Sequence, residues 1–352
     1  KQMTATKKDI RAYSSEELQE FFKEQGDKAF RGKQVYQWLW NKGIHQFDKM
    51  TNLSKETRAF LDEHFTINHI AVDQQQRSKD GTIKNAIQLF DGRVVESVLI
   101  PVKDRTTACV SSQVGCSLDC KFCATAKLDR MRNLKIDEIF DQVVAIDHQS
   151  KAYFHRPLSN IVFMGMGEPL MNYNNVIGAI EKITSPSGLG MSPKRITLST
   201  SGLPKLIKKM ADDKVQFNLA VSLHTAIQET REQIMPFAKN FPLSDLMDSL
   251  KYWHEKTGKI VTYEYVVWKG INDNMEHIRA LVDFCKQVPS KVNLIEYNAI
   301  GEDAFKQASP EIINQYMEFL AASHITATVR RSRGKDIDAA CGQLANKNKQ
   351  NT

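Results

Sequence analysis

Three cysteines, Cys116, Cys120 and Cys123, follow one another as CxxxCxxC within GCSLDCKFC, and no fourth cysteine follows them nearby. Thiolates at such close intervals hold soft metals. The residues alone leave two readings open: a zinc ion completed by a distant fourth ligand, or a four-iron cluster held by three thiolates. Zinc knuckles favour CxxC pairs, so the spacing points to the cluster. A cubane with four irons and three protein ligands keeps one iron open, and an open iron predicts chemistry rather than electron storage.

Other residues gather in short motifs. GMGEP (165–169) brings Gly167 and Glu168, TLSTSG (197–202) brings Ser199, VSLH (221–224) brings Ser222, Leu223 and His224, and EYNAI (296–300) brings Asn298. Each alone is an ordinary way to end a strand. At successive strand ends they suggest a rim of contacts for a small ligand. Cys341, in DIDAACGQL, is flanked by Ala339, Ala340 and Gly342, which would let a bulky group approach, although a free cysteine is usually a small core residue. Taken by themselves, Cys109 in TTACVSSQ reads as a buried strand thiol, Glu96 in VVESVLIP as a solvent-facing carboxylate, and Cys285 in LVDFCKQV as core.

The elements that must position these groups are legible in the apolar pattern. SSEELQEFFKEQG has a serine cap, early glutamates and the stopping Gly26 of a helix, and AFRGKQVYQWLWNKG and LSKETRAFLDEHF read as two more. The aromatics Phe30, Tyr36, Trp38 and Trp40 are assigned mostly to that unit's core rather than to base stacking. TIKNAIQLF and RVVESVLIPV flank Asp91-Gly92, a hairpin turn signal. After TTACVSSQ, the strand candidates NIVFMG, RITLST, FNLAVSLH, IVTYEYVVW, KVNLIEYN and ITATVRR alternate with helical stretches such as KIDEIFDQVVAIDHQ, SDLMDSLKYWHEKTG and PEIINQYMEFLAAS. Repeated strand-helix units predict a parallel sheet, open or curled into a barrel, with active residues at the carboxyl ends of the strands.

Composition narrows the class. The chain has 352 residues, 41% hydrophobic and 25% charged, with no long apolar run and no apolar stretch at its start, so it reads as cytosolic and without a membrane span. Six cysteines, three of them clustered, argue against a disulfide framework. The net charge of +7 suits a polyanion partner, and KAFRGK (28–33) and RRSRGK (330–335) concentrate it. Lys28, Arg31, Lys33 and Lys42 are the candidate phosphate contacts. The tail NKNKQNT reads as disordered.

The cysteine triplet is the signature of the radical S-adenosylmethionine (SAM) superfamily. Together with GMGEP, VSLH, the amino-terminal FRGKQVYQWLW and RRSRGKDIDAACGQL, it closely resembles the RNA methyltransferases of the RlmN family along essentially the whole chain. One departure stands after the cluster, where KLDRMRNL has Asp129 and Arg130 in place of the family's usual Gly-Phe pair. The resemblance implies an α/β fold: a partial (βα)-type radical SAM barrel of about six parallel strands, a small helical amino-terminal domain and a β-hairpin extension. The expected divisions are 1–70, helical and RNA-binding; 71–105, the hairpin extension; 106–332, the barrel; and 333–352, the segment bearing Cys341 and the tail.

The same resemblance implies methylation of adenosine C2 in 23S rRNA and at position 37 of some tRNAs. It implies one 4Fe-4S cluster on Cys116, Cys120 and Cys123, and two SAM per methylation, bound at Gly167, Glu168, Ser199, Ser222, Leu223, His224 and Asn298. Cys341 would carry the methyl as a thioether, Glu96 would accept the C2 proton, and Cys109 would release the RNA adduct by forming a disulfide. An electron donor such as flavodoxin with its reductase, and a monomeric, cytoplasmic enzyme, complete the expectation. The alternative is a Cfr-type relative that methylates C8 on the same cysteines.

Overall fold

The computed structural model describes residues 7–301 and 304–347. Three amino-terminal helices, α1 (Ser15–Glu24), α2 (Phe30–Trp40) and α3 (Lys55–His64), begin where their caps dictate. Ser14 accepts from Glu17 N while the Glu17 carboxylate accepts from Ser14 N, and Ser54 accepts from Thr57 N. Trp38 and Trp40 are buried and Tyr36 packs against the core, but Phe30 is 46% exposed beneath the Arg31 guanidinium. Lys28, Lys33 and Lys42 are exposed, and Lys42 rests on the Trp38 ring 3.5 Å from its centroid.

Ten strands build the main sheet. β1 (Ala71–Arg77), β2 (Ile83–Gln88), β3 (Val94–Val102) and β4 (Arg105–Cys109) form an antiparallel meander. The Asp91-Gly92 turn works as expected, since Gly92 takes φ 83° and Leu89 N donates to Arg93 O at 2.7 Å. β5 (Asn160–Phe163), β6 (Ile196–Thr200), β7 (Asn218–Ser222), β8 (Val261–Val266), β9 (Ser290–Ile295) and β10 (Thr326–Arg330) then continue from β4 in unbroken parallel order. Seven parallel strands result from β4 to β10, one more than the barrel was expected to need.

The crossovers carry α4 (Ile136–Phe154), α5 (Tyr173–Thr184), α6 (Pro204–Asp212), α7 (Gln228–Ile234), α8 (Leu243–Thr257), α9 (Met275–Cys285) and α10 (Pro310–Ala322). Central β8 is buried at every position, as a strand covered on both faces must be. Cys285 is a buried core residue. No helix among the described residues is long and apolar enough to cross a membrane.

Two features fix the site. First, a buried charge cluster joins the amino-terminal helices to α4: Arg11 donates to Asp141 Oδ1 and Oδ2 at 2.7 and 2.9 Å and to Asp137 at 3.4 Å. His45 meets Asp141 at 3.1 Å, and Trp40 packs edge-on against Phe140. Second, the segment after β10 crosses to the meander at the opposite end of the sheet. Gly334 N donates to Asp80 at 2.9 Å, while Ser78 Oγ and Lys79 N donate to Asp336. The open sheet is thus bridged by backbone from the carboxyl terminus. Of the tail expected to be disordered, residues 348–352 lie outside the described residues, whereas Asn346 is buried and donates to Val94 O at 2.8 Å.

Candidate active site

Parallel strands place their carboxyl ends on one rim, and here those ends surround a deep cavity. Gly165, Gly167 and Glu168 after β5, Ser199 and Ser201 at β6, Ser222 and His224 at β7, Glu264 and Val266 of β8, Asn298 after β9 and Arg330 of β10 all line it. Cys116, Cys120 and Cys123 open onto the same cavity, as do Cys109 and Cys341. Leu223 stands behind the rim, fully buried.

The cysteine loop is held from several sides. Gly115 takes φ 79°, and a side chain there would come within 2.3 Å of the Asp129 carbonyl, so the Asp129-Arg130 departure packs tightly against the loop. Met131 N donates to Val114 O at 2.9 Å. The three thiols influence one another electrostatically, and burial pushes Cys116 up to about 12 and Cys120 well above its usual value. Among the described residues no three His, Cys, Asp or Glu side chains converge on a single ion. A cubane does not ask for that, because each thiolate binds a different iron. Three thiols around one apolar-walled cavity, with Phe122, Met235 and Val266 beside them, fit the donor set of an iron-sulfur cluster.

Glu168 is buried, 2% exposed. Its Oε1 accepts from Thr200 Oγ1 at 2.7 Å and Leu170 N at 3.1 Å, and Oε2 from Ser201 N at 2.8 Å. Burial raises its pKa against those bonds and a further one from the Ser201 side chain. Gly167, at φ 98°, lets the strand end lie on Gln113, whose Cβ would be 2.5 Å from any side chain there. His224 takes φ 58°; its Nδ1 accepts from Val266 N at 3.1 Å, and burial, helped by Arg231, lowers its pKa to about 3. It is therefore a neutral imidazole, edge-on to Phe122. Asn298 Nδ2 donates to the carbonyls of Glu296 and Cys341 at 3.2 and 3.3 Å, while its Oδ1 has no hydrogen-bond partner among the described residues.

The carboxyl-terminal segment lies across this cavity as a strap, with Ala339, Ala340, Cys341, Gly342 and Leu344 in its lining. Ala124 N donates to Gly342 O at 2.7 Å and Thr125 Oγ1 to Leu344 O at 2.6 Å, which fastens Cys341 to the cysteine loop. The Cys341 thiol is open to solvent entering the cavity yet ringed by protein, and these low-dielectric surroundings, with Cys123 beside it, push it up to about 11. Cys109 is lifted to about 12 by burial and then by Cys341. Arg330 pulls both thiols the other way.

Glu96 is placed differently from the other expected site residues. It does not line the cavity but lies behind the strap, 3% exposed, where Oε2 accepts from Ala345 N and Asn346 N at 2.9 and 3.2 Å and Oε1 faces Lys84 Nζ at 3.3 Å. A carboxylate absent from the sequence reading, Glu264, stands in the cavity instead, beside Arg330 of the basic run RRSRGK. Glu264, raised by burial, accepts from Asn293 at 2.9 Å and meets Arg330 at 3.4 Å. The signal for Glu264 was a carboxylate inside the apolar run IVTYEYVVW.

Comparison with known proteins bears on the fold and the class of enzyme. Residues 3–67 match the family described as the ribosomal RNA large subunit methyltransferase N-terminal domain, and residues 110–285 match the radical SAM superfamily. The chain is 69% identical over 341 residues to the "Probable dual-specificity RNA methyltransferase RlmN" of Christiangramia forsetii, covering 97% of each chain. It is 69% identical over 345 residues to the protein of that name from Flavobacterium psychrophilum, covering 98% of this chain and 99% of the relative. A crystal structure of a radical SAM methyltransferase from Sphaerobacter thermophilus superposes with a TM-score of 0.90 at 36% identity, over 96% of this chain and 99% of the other.

Proposed function

This chain belongs to the RlmN family of radical SAM RNA methyltransferases, and from that membership we propose that it methylates C2 of adenosine in 23S rRNA and at position 37 of some tRNAs. Adenine C2 is an electron-poor carbon between two ring nitrogens and will not attack a methyl sulfonium. A carbon radical can add to it. Cys116, Cys120 and Cys123 hold the 4Fe-4S cluster, and Gly167, Glu168, Ser199, Ser222, Leu223, His224 and Asn298 form the SAM site. When bound, the cluster with SAM supplies a 5'-deoxyadenosyl radical in the cavity.

The remaining work falls to this chain's side chains. The Cys341 thiolate attacks the methyl carbon of one SAM and displaces S-adenosylhomocysteine, and the resulting thioether methyl gives one hydrogen atom to the 5'-deoxyadenosyl radical and bonds to adenine C2 as a carbon radical. Glu96 accepts the C2 proton of that adduct, whose unpaired electron would pass back to the cluster, and this requires Ala345 and Asn346 to lift from its carboxylate. The Cys109 thiolate then attacks the Cys341 sulfur, the sulfur-carbon bond breaks with its electron pair going to the RNA-bound carbon, which takes up a proton to become the methyl group, and an external thiol reduces the disulfide before the next turnover. Residues 1–70, with Lys28, Arg31, Lys33 and Lys42, contact RNA phosphates, and the target adenosine is presented unstacked. Flavodoxin with its reductase supplies electrons to a monomeric cytoplasmic enzyme.

The observation that carries this reading is the gathering of Cys341, Cys109 and the three cluster thiols around one cavity. Cys341→Ala removes the methyl carrier and is expected to abolish RNA methylation; methylated RNA from that variant would overturn the mechanism. Nucleoside analysis separates the C8 reading, which requires 8-methyladenosine.

A further inference from the structure

Helix α7 carries a cation with no anion. Arg231 is 0% exposed, and among the described residues no carboxylate pairs with it. Its donors go to backbone carbonyls instead: Nη2 to Ser201 at 2.6 Å and Ser222 at 3.3 Å, and Nε to Leu223 at 3.4 Å. Nη1 has no hydrogen-bond partner among the described residues. Neutral carbonyls satisfy hydrogen bonds but do not cancel a charge, and a buried charge without a counter-ion costs more than its hydrogen bonds return. A fold that keeps such a residue meets an anion there.

The direction of that anion is set by how α7 is docked. Lys121 N donates to Ile234 O at 3.0 Å, and Phe237 N donates to Asp119 Oδ1 at 3.0 Å, so the helix and the turn after it are fastened to the cysteine loop on both sides of Cys120. Those two tethers bracket Cys120, and Arg231 stands one helical turn before Ile234 on the same face of α7. An oxidised cubane with three thiolates carries net negative charge, and one more electron adds to it. A fixed cation nearby stabilises the reduced form more than the oxidised form.

We propose that Arg231 is the built-in counter-charge of the cluster, a positioning residue that raises the cluster's reduction potential while its carbonyl contacts tie the turns after β6 and β7 to that charge. The proposal rests on cluster ligation by Cys116, Cys120 and Cys123. The reaction it affects is addition of one electron from a low-potential donor, dithionite in the assay, to the oxidised cluster.

The experiment is an anaerobic redox titration of the reconstituted full chain, without SAM or RNA, followed by electron paramagnetic resonance and with iron content measured in parallel. Arg231→Gln is expected to lower the equilibrium constant for reduction at least tenfold, about 59 mV for a one-electron couple. Arg231→Lys keeps the charge and should titrate near wild type. Phe237→Glu, whose ring lies 5.6 Å from the guanidinium carbon, supplies the missing carboxylate beside an intact arginine and should shift the potential in the same direction as Arg231→Gln. It also serves if Arg231→Gln does not fold. Unshifted potentials in Arg231→Gln and Phe237→Glu, or a shift in Arg231→Lys as large as in Arg231→Gln, would overturn the counter-charge. A wild-type chain that holds no cluster would overturn both this and the cluster reading beneath it, so the two failures are told apart.

Discussion

Replacing Glu96 with Gln should loosen the strap that bears Cys341. The carboxylate accepts two backbone N–H groups, from Ala345 at 2.9 Å and Asn346 at 3.2 Å, and both partners lie in the segment bonded to the cysteine loop. Hydrogen bonds to a charged acceptor contribute about 1 kcal/mol more apiece than bonds to a neutral one. Two weakened bonds therefore make opening easier by about 2 kcal/mol, roughly 30-fold at about 1.4 kcal/mol per decade. Lys84, 5% exposed and paired with Glu96 at 3.3 Å, would be left as an unpaired buried cation. The double variant Lys84→Met, Glu96→Gln removes that complication. Hydrogen exchange followed by mass spectrometry on peptides spanning 338–347 reads the effect. The expected result is about 30-fold faster exchange at the amides of Ala345 and Asn346 in the double variant, with β8 amides slowed or hastened no more than global stability requires. Wild-type exchange in that peptide would refute the idea that Glu96 latches the strap.

Arg11→Met should destabilise the chain by about 3–5 kcal/mol at pH 7.5, since Asp141 and Asp137 are then buried without their cation. The loss should shrink at pH 5.5. Burial holds Asp137 at about 6, above its ordinary 3.8, so its charged form penalises the fold above that value and the penalty fades as pH falls from about 6 toward 3.8. Asp141 behaves oppositely: against the cost of burial, His45 and Arg11 hold it below 3.8, so its contribution is full above 3.8 and is lost as the pH falls from there through that depressed value. Thermal unfolding at both pH values checks the sign, and an equal loss at each would contradict it. Cys109→Ala should leave protein crosslinked to RNA on denaturing gels, because no thiol remains to attack the Cys341 sulfur; free methylated RNA at the normal rate would remove its proposed role.

Much of this architecture could be read along the chain because local signals and global packing agree. Ser14 and Ser54 cap the helices they precede, Asp91-Gly92 turns the meander, and the strands from NIVFMG to ITATVRR occupy the sheet in chain order. The rim residues were legible for the same reason, as small polar groups where apolar runs stop. Other features depend on contacts between distant segments. Arg11 reads as a surface cation until Asp141, 130 residues away, folds over it. Arg231 sits in QETREQI, a stretch that looks solvated, and only the docking of α7 on the cysteine loop buries it. Glu96 looked solvent-facing by strand alternation, yet Ala345 and Asn346 cover it from beyond the last strand. Phe30 shows the converse, an aromatic in an apolar helix face that the fold leaves exposed.

The central claim is that a methyl group reaches adenine C2 by way of a protein sulfur. The most direct measurement is mass spectrometry of nucleosides from RNA modified with SAM deuterated throughout its methyl group. The account predicts 2-methyladenosine in which one deuterium of the methyl has been replaced by hydrogen, because one is lost when the Cys341-bound carbon becomes a radical. A fully deuterated methyl, or a methyl on C8, would contradict it.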